Sequence, residues 1–307
     1  MNYLTRIETF TEDNLPDLDE VVMGALSYLK ALTLPHLQAW KHSRPLVVGS
    51  GNALHVGRIL FRDTDAVCVE ESAFTSSIEK GYYDAVYIIS ASGSKHAKAI
   101  AEESVTSGIP TYLVTNTEDS GAGAIVGREN SFIYPHVREP YTYNTSTYLS
   151  MLFGAHSVSP EKIQTYIETV VEPLITDMSA YTAFLMTVPS EFGEVRGMFE
   201  TKFDELFGPK ILGRAYTTEE MKHAKTVITS PTQCFICLGN EIPYGNPGMR
   251  ITIPLTDELT HAELIAIGYY IIGKIQKAHH PFFKENIEAY TKATSEMFGQ
   301  TIPVIVE

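Results

Sequence analysis

Five short runs of nearly unbroken apolar residues, separated by helical stretches, constrain the fold of this chain more than any other feature. They are 45–52 (PLVVGSGN), 66–70 (AVCVE), 84–90 (DAVYIIS), 109–116 (IPTYLVTN) and 131–136 (SFIYPH). None alternates apolar with polar, so neither face of such a strand meets water, and that is the signature of a parallel sheet covered by helices on both sides. A helical stretch over 13–42 comes first, with Leu18, Val21, Val22, Ala25, Leu26 and Leu29 at helical spacing. The theme then recurs. Helices are expected near 145–153 and 160–179, a strand at 183–188, a helix at 193–206, strands at 232–239 and 249–255, a helix at 257–277, and a terminal strand or extended tail at 302–307. Two α/β halves of ordinary domain size follow, with a boundary near residue 155 that divides the chain into 1–155 and 156–307.

The charge narrows the function. With 23 basic and 37 acidic residues the formal net charge is −14. A surface of that sign repels a nucleic-acid backbone, so any bound anion must be held by a local site working against the global field. No apolar run is long enough to span a membrane, and residues 1–14 lack the layout of a signal peptide. Three cysteines make no disulfide framework. A soluble, cytoplasmic protein is expected.

Two loops carry the chemistry. Residues 90–95 offer three hydroxyls (Ser90, Ser92, Ser94), a glycine (Gly93) that lets backbone approach a ligand, and Lys95 in the first turn of a helix. A helix N-terminus behind such a turn supplies aligned amides and a positive dipole end, which suits a phosphate. In doubly wound folds, loops after strands lie at the carboxyl edge where ligands bind, and Ser50, Gly51 and Asn52 after the first strand would stand beside the serine loop there. Either loop alone is better explained by helix capping and a tight turn, and it is the pair in one α/β half that gives a phosphate site equal weight. The run after Gly49 has no third glycine of a dinucleotide fingerprint, although Glu70 sits at the distance expected of a ribose partner, which keeps NAD as a minor alternative.

Taken together, Gly-Ser-Gly-Asn at 49–52, the run 88–96 (IISASGSKH) and 108–116 (GIPTYLVTN) resemble the SIS (sugar isomerase) domain family. The second half resembles the second SIS domain of its two-domain members, among them the isomerase half of glucosamine-6-phosphate synthase and the fructosamine-6-phosphate deglycases. The resemblance implies two flavodoxin-like, three-layer α-β-α domains with mainly parallel sheets. It aligns Lys202 and Glu205 with the family's Lys-x-x-Glu helix, Glu220–His223 with its Glu-Leu-Lys-His segment, and Ala215–Tyr216 with its Ala-Tyr. Carried over, Glu205 moves a proton between C1 and C2 of an open-chain sugar, His223 opens the ring and can serve a neighbouring subunit's site, and Lys202 is a charge partner near the sugar. Glutamate and histidine are chemically suited to those steps.

The resemblance thus implies a sugar-phosphate isomerase (ketose/aldose or amino-sugar phosphate) or deglycase, acting on a sugar-phosphate substrate as a homodimer or higher self-assembly, with no metal or organic cofactor. A non-catalytic sugar-phosphate sensor is the alternative. Three positions depart from the family: Lys95 stands where a threonine is usual, Ala53 where a serine closes the first glycine loop, and Ile302 where the synthases have a lysine. Arg138-Glu-Pro precedes the helix near 145, where relatives often place Ser-Thr. Other residues have plainer explanations. Cys234 and Cys237 read as strand cysteines, His279 and His280 as a helix C-terminus, and Tyr141–Tyr148 as a packing segment in which Thr145 or Ser146 caps the next helix, while His96, one residue beyond the serine loop, reads equally as a ligand contact or as an ordinary first-turn residue.

Overall fold

In the computed structural model, residues 2–37, 41–155, 158–239 and 244–307 are described. The chain order is α1 (Tyr3–Thr9), α2 (Leu18–Leu29), β1 (Pro45–Gly49), α3 (Asn52–Leu60), β2 (Val67–Glu70), α4 (Phe74–Ile78), β3 (Ala85–Ile89), α5 (His96–Thr106), β4 (Thr111–Thr115), α6 (Gly121–Val126), β5 (Ser131–Ile133), β6 (Glu139–Pro140) and α7 (Thr145–Ala155). It continues through α8 (Pro160–Tyr166), β7 (Ala183–Val188), α9 (Arg196–Phe207), β8 (Leu212–Thr217), α10 (Thr218–Met221), β9 (Gln233–Leu238), β10 (Arg250–Ile253), α11 (His261–Ala278), α12 (Phe282–Phe298) and β11 (Ile305–Val306). Both principal sheets are parallel, as the unalternating apolar runs require.

One compact unit comprises 31–136 and 146–158. Its five strands stand in the order β2-β1-β3-β4-β5. Leu46, Val48, Val86, Ile88 and Leu113 point to one face, where they pack on α4, α5 and α6. On the other face α3 lies so close that a Cβ on Gly57 would sit 2.8 Å from Val47 and 3.2 Å from Ile89. Three layers result, with the flavodoxin-like strand order.

The other unit comprises 1–30, 137–145 and 159–307, with a four-stranded sheet in the order β10-β9-β7-β8 and the antiparallel pair β6–β11. Phe203 of α9 stacks on Phe184 of β7 at 6.0 Å, while Leu185, Phe235, Cys237 and Met221 pack on the opposite face. The expected division at residue 155 is therefore not the one the contacts make. Both leading helices join the C-terminal sheet's unit, because the apolar stripe of α2 has its partner in α11: the Leu18 amide donates to Gln276 Oε1 at 2.9 Å. The expected helix over 13–42 also shortens to α2. Pro35 disfavours helix in the residue before it, and 38–40 lie outside the described residues. Helix α12, strand β8 and the short β6 have no counterpart among the expected elements. Among the described residues no helix is long and apolar enough to cross a membrane.

The α2–α11 contact is backbone-close at Gly273, where a Cβ would meet the Asp19 amide nitrogen at 2.0 Å. Gly273→Ala is expected to lower stability by about 1–3 kcal/mol, the range for overpacking. Urea unfolding checks this, and an unchanged midpoint would mean that α2 moves aside at no cost.

Candidate functional site

Between β1 and β3 the order of the first sheet reverses. After β1 the chain turns to the α3 face, and after β3 it turns to the α5 face, so the two loops diverge and leave a crevice at the carboxyl edge. The glycine loop and the serine loop border that crevice as neighbours. Gly51 takes φ +50° to open α3, and Ala53 and Leu54 close the turn on the Ser50 and Gly51 carbonyls, each at 3.1 Å. Ser50 and Gly51 are exposed, whereas Asn52 is buried and its Oδ1 has no hydrogen-bond partner among the described residues. A buried amide oxygen in that state is suited to a ligand donor.

The serine loop is held from below. Gly93 (φ +56°) donates its N–H to Ser90 Oγ at 3.2 Å, and the Ser92 and Ser94 hydroxyls pair at 2.8 Å. The Ala91 carbonyl accepts from Thr115 Oγ1 at 2.7 Å and from the Asn116 amide at 3.1 Å, while the Gly93 carbonyl accepts from the Ala122 amide at 2.9 Å. Lys95 occupies φ +45°, a strained region for a residue with a side chain, immediately before α5. Thr115 and Ser120 brace the serine loop without having stood out in the sequence. Ser120 caps α6 through the Gly123 amide at 3.0 Å and lies against Gly93; its position just before Gly-Ala-Gly was the available signal.

In the other unit, Lys202 and Glu205 share one face of α9, as i,i+3 spacing dictates. Lys202 is fully buried. Its Nζ donates to Glu205 Oε2 at 2.5 Å and to the Thr142 carbonyl at 2.8 Å, and lies 5.7 Å from the Tyr269 ring centre. The ammonium is thus aimed at Glu205 and the backbone rather than at solvent. Burial pushes the Glu205 carboxyl above its ordinary range, Lys202 opposes that by charge and hydrogen bond, and Asp204 adds to the rise. Thr142 takes φ +76°, an outlier for a β-branched residue. It is held between Tyr141, whose N–H donates to the Val304 carbonyl at 2.7 Å, and Tyr143, whose hydroxyl accepts from Gln276 Nε2 at 3.0 Å. Beside Glu205 lies a cavity of about 560 Å³, walled by the end of α9, the Gly208–Lys210 turn and α12.

His223 is not brought to Glu205 within the chain. Glu205 stands near the end of α9, where β8 begins, and His223 follows the far end of that six-residue strand, at the opposite edge of the sheet. It lies in an exposed turn. Glu220 is engaged structurally, since both its oxygens meet Arg196 Nη1 at 2.6 Å and it accepts from the Thr217 amide at 2.8 Å. The α7 amide of Thr145 is capped by Glu139 Oε2 at 2.8 Å rather than by Thr145 or Ser146. Cys234 and Cys237 lie buried in β9. No group of three or more potential metal-binding side chains is found among the described residues.

No family profile matches the chain, and no curated protein matches it in sequence. Solved structures do. Glucosamine-6-phosphate deaminase from Thermotoga maritima superposes with a TM-score of 0.62 at 14% identity, over 91% of this chain and 94% of that one. The C-terminal domain of glucosamine-fructose-6-phosphate aminotransferase from Francisella tularensis gives 0.57 at 11% identity, over 91% and 96%. Tagatose-6-phosphate ketose/aldose isomerase from Escherichia coli gives 0.53 at 12%, over 91% and 90%. These likenesses show that the chain shares its fold, two α/β units built on parallel sheets, with those three structures.

Gly93 has no room for a side chain, because a Cβ would lie 2.6 Å from both Cβ and Oγ of Ser120. Gly93→Ala is expected to weaken phosphate and sugar-phosphate binding about tenfold or more, read by calorimetric titration. Unchanged affinity in a folded variant would remove this loop from the anion site.

Proposed function

We propose that this protein binds a sugar phosphate and moves a proton between C1 and C2 of its open-chain form, as an isomerase of ketose/aldose or amino-sugar phosphates or as a deglycase. The observation that carries the reading is Glu205, a carboxylate at a cavity wall whose charge is governed by a fully buried lysine. In the forward step the Glu205 carboxylate takes the proton from one carbon and a neutral or anionic enediol (enolamine for an amine) forms. The same carboxyl returns the proton to the neighbouring carbon while a hydroxyl or amine proton shifts in the opposite sense. The Ser50–Asn52 and Ser90–Lys95 loops take the phosphate and adjoining hydroxyls through amides, hydroxyls and the Lys95 charge. The three solved relatives are named for reactions of sugar phosphates, which supports the substrate class.

His223 completes the chemistry from a second copy of the chain, serving the ring oxygen. Its exposure and its separation from Glu205 support that assignment, as do Val227 and Ile228 in the same segment, 76% and 87% exposed. A homodimer follows as part of the proposal.

A thermal-shift panel of hexose phosphates, amino-sugar phosphates and NAD tests the ligand class. Stabilisation follows RT ln(1 + [L]/Kd), about 2.7 kcal/mol at a hundredfold excess, and NAD is expected to give none. Glu205→Gln is expected to abolish solvent deuterium incorporation at C2 of the stabilising sugar while its binding persists. If the wild type itself incorporates no deuterium, the protein binds sugar phosphate without transforming it.

The pH dependence has a fixed sign. Proton abstraction needs the Glu205 carboxylate, so kcat/KM rises with pH through a midpoint above the ordinary 4.5. Lys202→Met removes the influence that holds the carboxyl down and is expected to move that midpoint further upward; an unmoved midpoint would dissociate the limb from Glu205.

A further inference from the structure

Thr142 carries more than its carbonyl explains. Its backbone sits at φ +76°, a strained conformation for a β-branched residue. The carbonyl that accepts from Lys202 Nζ at 2.8 Å needs that backbone but no side chain, and glycine would present it without the strain. What threonine adds is a hydroxyl. Thr142 belongs to the wall of the cavity that Glu205 also lines. Its Oγ1 is buried and has no hydrogen-bond partner at ordinary distance among the described residues, yet it stands near enough to the Glu205 carboxyl to favour the carboxylate. Buried hydroxyls normally have a partner, and strained residues gather at reacting centres.

A shift between C1 and C2 moves two protons. Glu205 carries one between the carbons, and a second must leave the heteroatom on one carbon and reach the oxygen on the other. The Lys202 ammonium is taken up by Glu205 and the Thr142 carbonyl. Asp204, Lys210, Asn286 and Tyr290, the other polar side chains of the wall, are exposed. The transfer calls for a neutral group that donates and accepts at one atom, which a hydroxyl does.

We propose that Thr142 is a second catalytic residue, whose hydroxyl relays the heteroatom proton between the groups on C1 and C2. The inference rests on the reading of Glu205 as the C1/C2 base. Starting from the aldose, Glu205 removes the hydrogen from C2. Thr142 Oγ1 gives its proton to the C1 carbonyl oxygen and at the same moment takes one from the hydroxyl or ammonium on C2. The product is an enediolate charged on the C2 oxygen, or a neutral enolamine. Glu205 then returns its proton to C1 as the C2=O or C2=NH2+ bond forms. Thr142 begins and ends as a neutral alcohol. Rotation about χ1, in steps of about 120°, is the motion that turns the hydroxyl from the carboxyl to the substrate.

The test follows solvent deuterium incorporation at C2 by proton NMR, with glucose 6-phosphate, galactose 6-phosphate and glucosamine 6-phosphate as probes. In Thr142→Val the rate is expected to fall about a hundredfold or more, the scale of a lost proton-transfer group. The Kd from calorimetric titration is expected to stay within about threefold. Thr142→Ser, which keeps the hydroxyl, is expected to remain within about tenfold of the wild-type rate. Thr142→Gly keeps the carbonyl and removes both hydroxyl and strain; it is expected to be as slow as Thr142→Val and serves if the valine variant does not fold. A role confined to holding Lys202 predicts the opposite, an active glycine variant. A rate within about threefold of the wild type in the valine or glycine variant, or an equal loss in the serine variant, overturns the inference and leaves the proposed function standing. If the wild type exchanges none of the three probes, the proposed function falls and the relay falls with it.

Discussion

A buried ammonium group organises the larger unit. Lys202 has no exposed surface, and an unpaired charge in that position would cost several kcal/mol. Its partners come from three separate stretches of chain: Glu205 one turn along α9, the Thr142 carbonyl, and the Tyr269 ring on α11. The Thr142 carbonyl is presented only because its residue sits at φ +76°, which stores strain on the order of 1–3 kcal/mol. That strain persists because the surroundings determine it. Strand β6 pairs with β11, and the Tyr143 hydroxyl is bound by Gln276. The position of one carboxylate thus depends on the terminal strand, a connecting loop and two helices.

The smaller unit solves a different electrostatic problem. Any anion bound by a chain with a net charge of −14 is held against the chain's own field. Its candidate site relies on short-range elements that a global charge does not cancel: aligned amides, hydroxyls and a helix start at the reversal between β1 and β3. The loop is made rigid by backbone acceptors, with the Ala91 and Gly93 carbonyls tied to β4, the residue after it and α6. Rigidity of this kind limits the entropy lost when a ligand orders the site.

The first half of the fold was legible because its signals are local. Runs such as 45–49 and 85–89 are apolar throughout, and Gly51 and Gly93 do take the positive φ that their loops require. Helix α12 was legible in principle and overlooked: Phe283, Ile287, Thr291 and Thr294 are buried at helical spacing, but two of the four are threonines and weaken the apolar pattern. The domain boundary was not legible. Nothing in residues 18–29 says which sheet their stripe will cover; that is decided by Gln276 and Gly273, some 250 residues away in sequence.

For the site, the Lys-x-x-Glu spacing by itself determined that Lys202 and Glu205 share a helical face, since 3.6 residues per turn admits no other outcome. The serine and glycine loops were likewise determined by residue type, because few other residues permit that backbone. Tertiary structure alone decided that Lys202 points inward, that Thr142 supplies its second acceptor, and that a cavity lined by α12 opens beside Glu205. It also decided that His223 stands at the opposite edge of its sheet from Glu205. Helical spacing and turn preference act over a few residues, whereas burial and charge pairing depend on which distant segments the packing brings together.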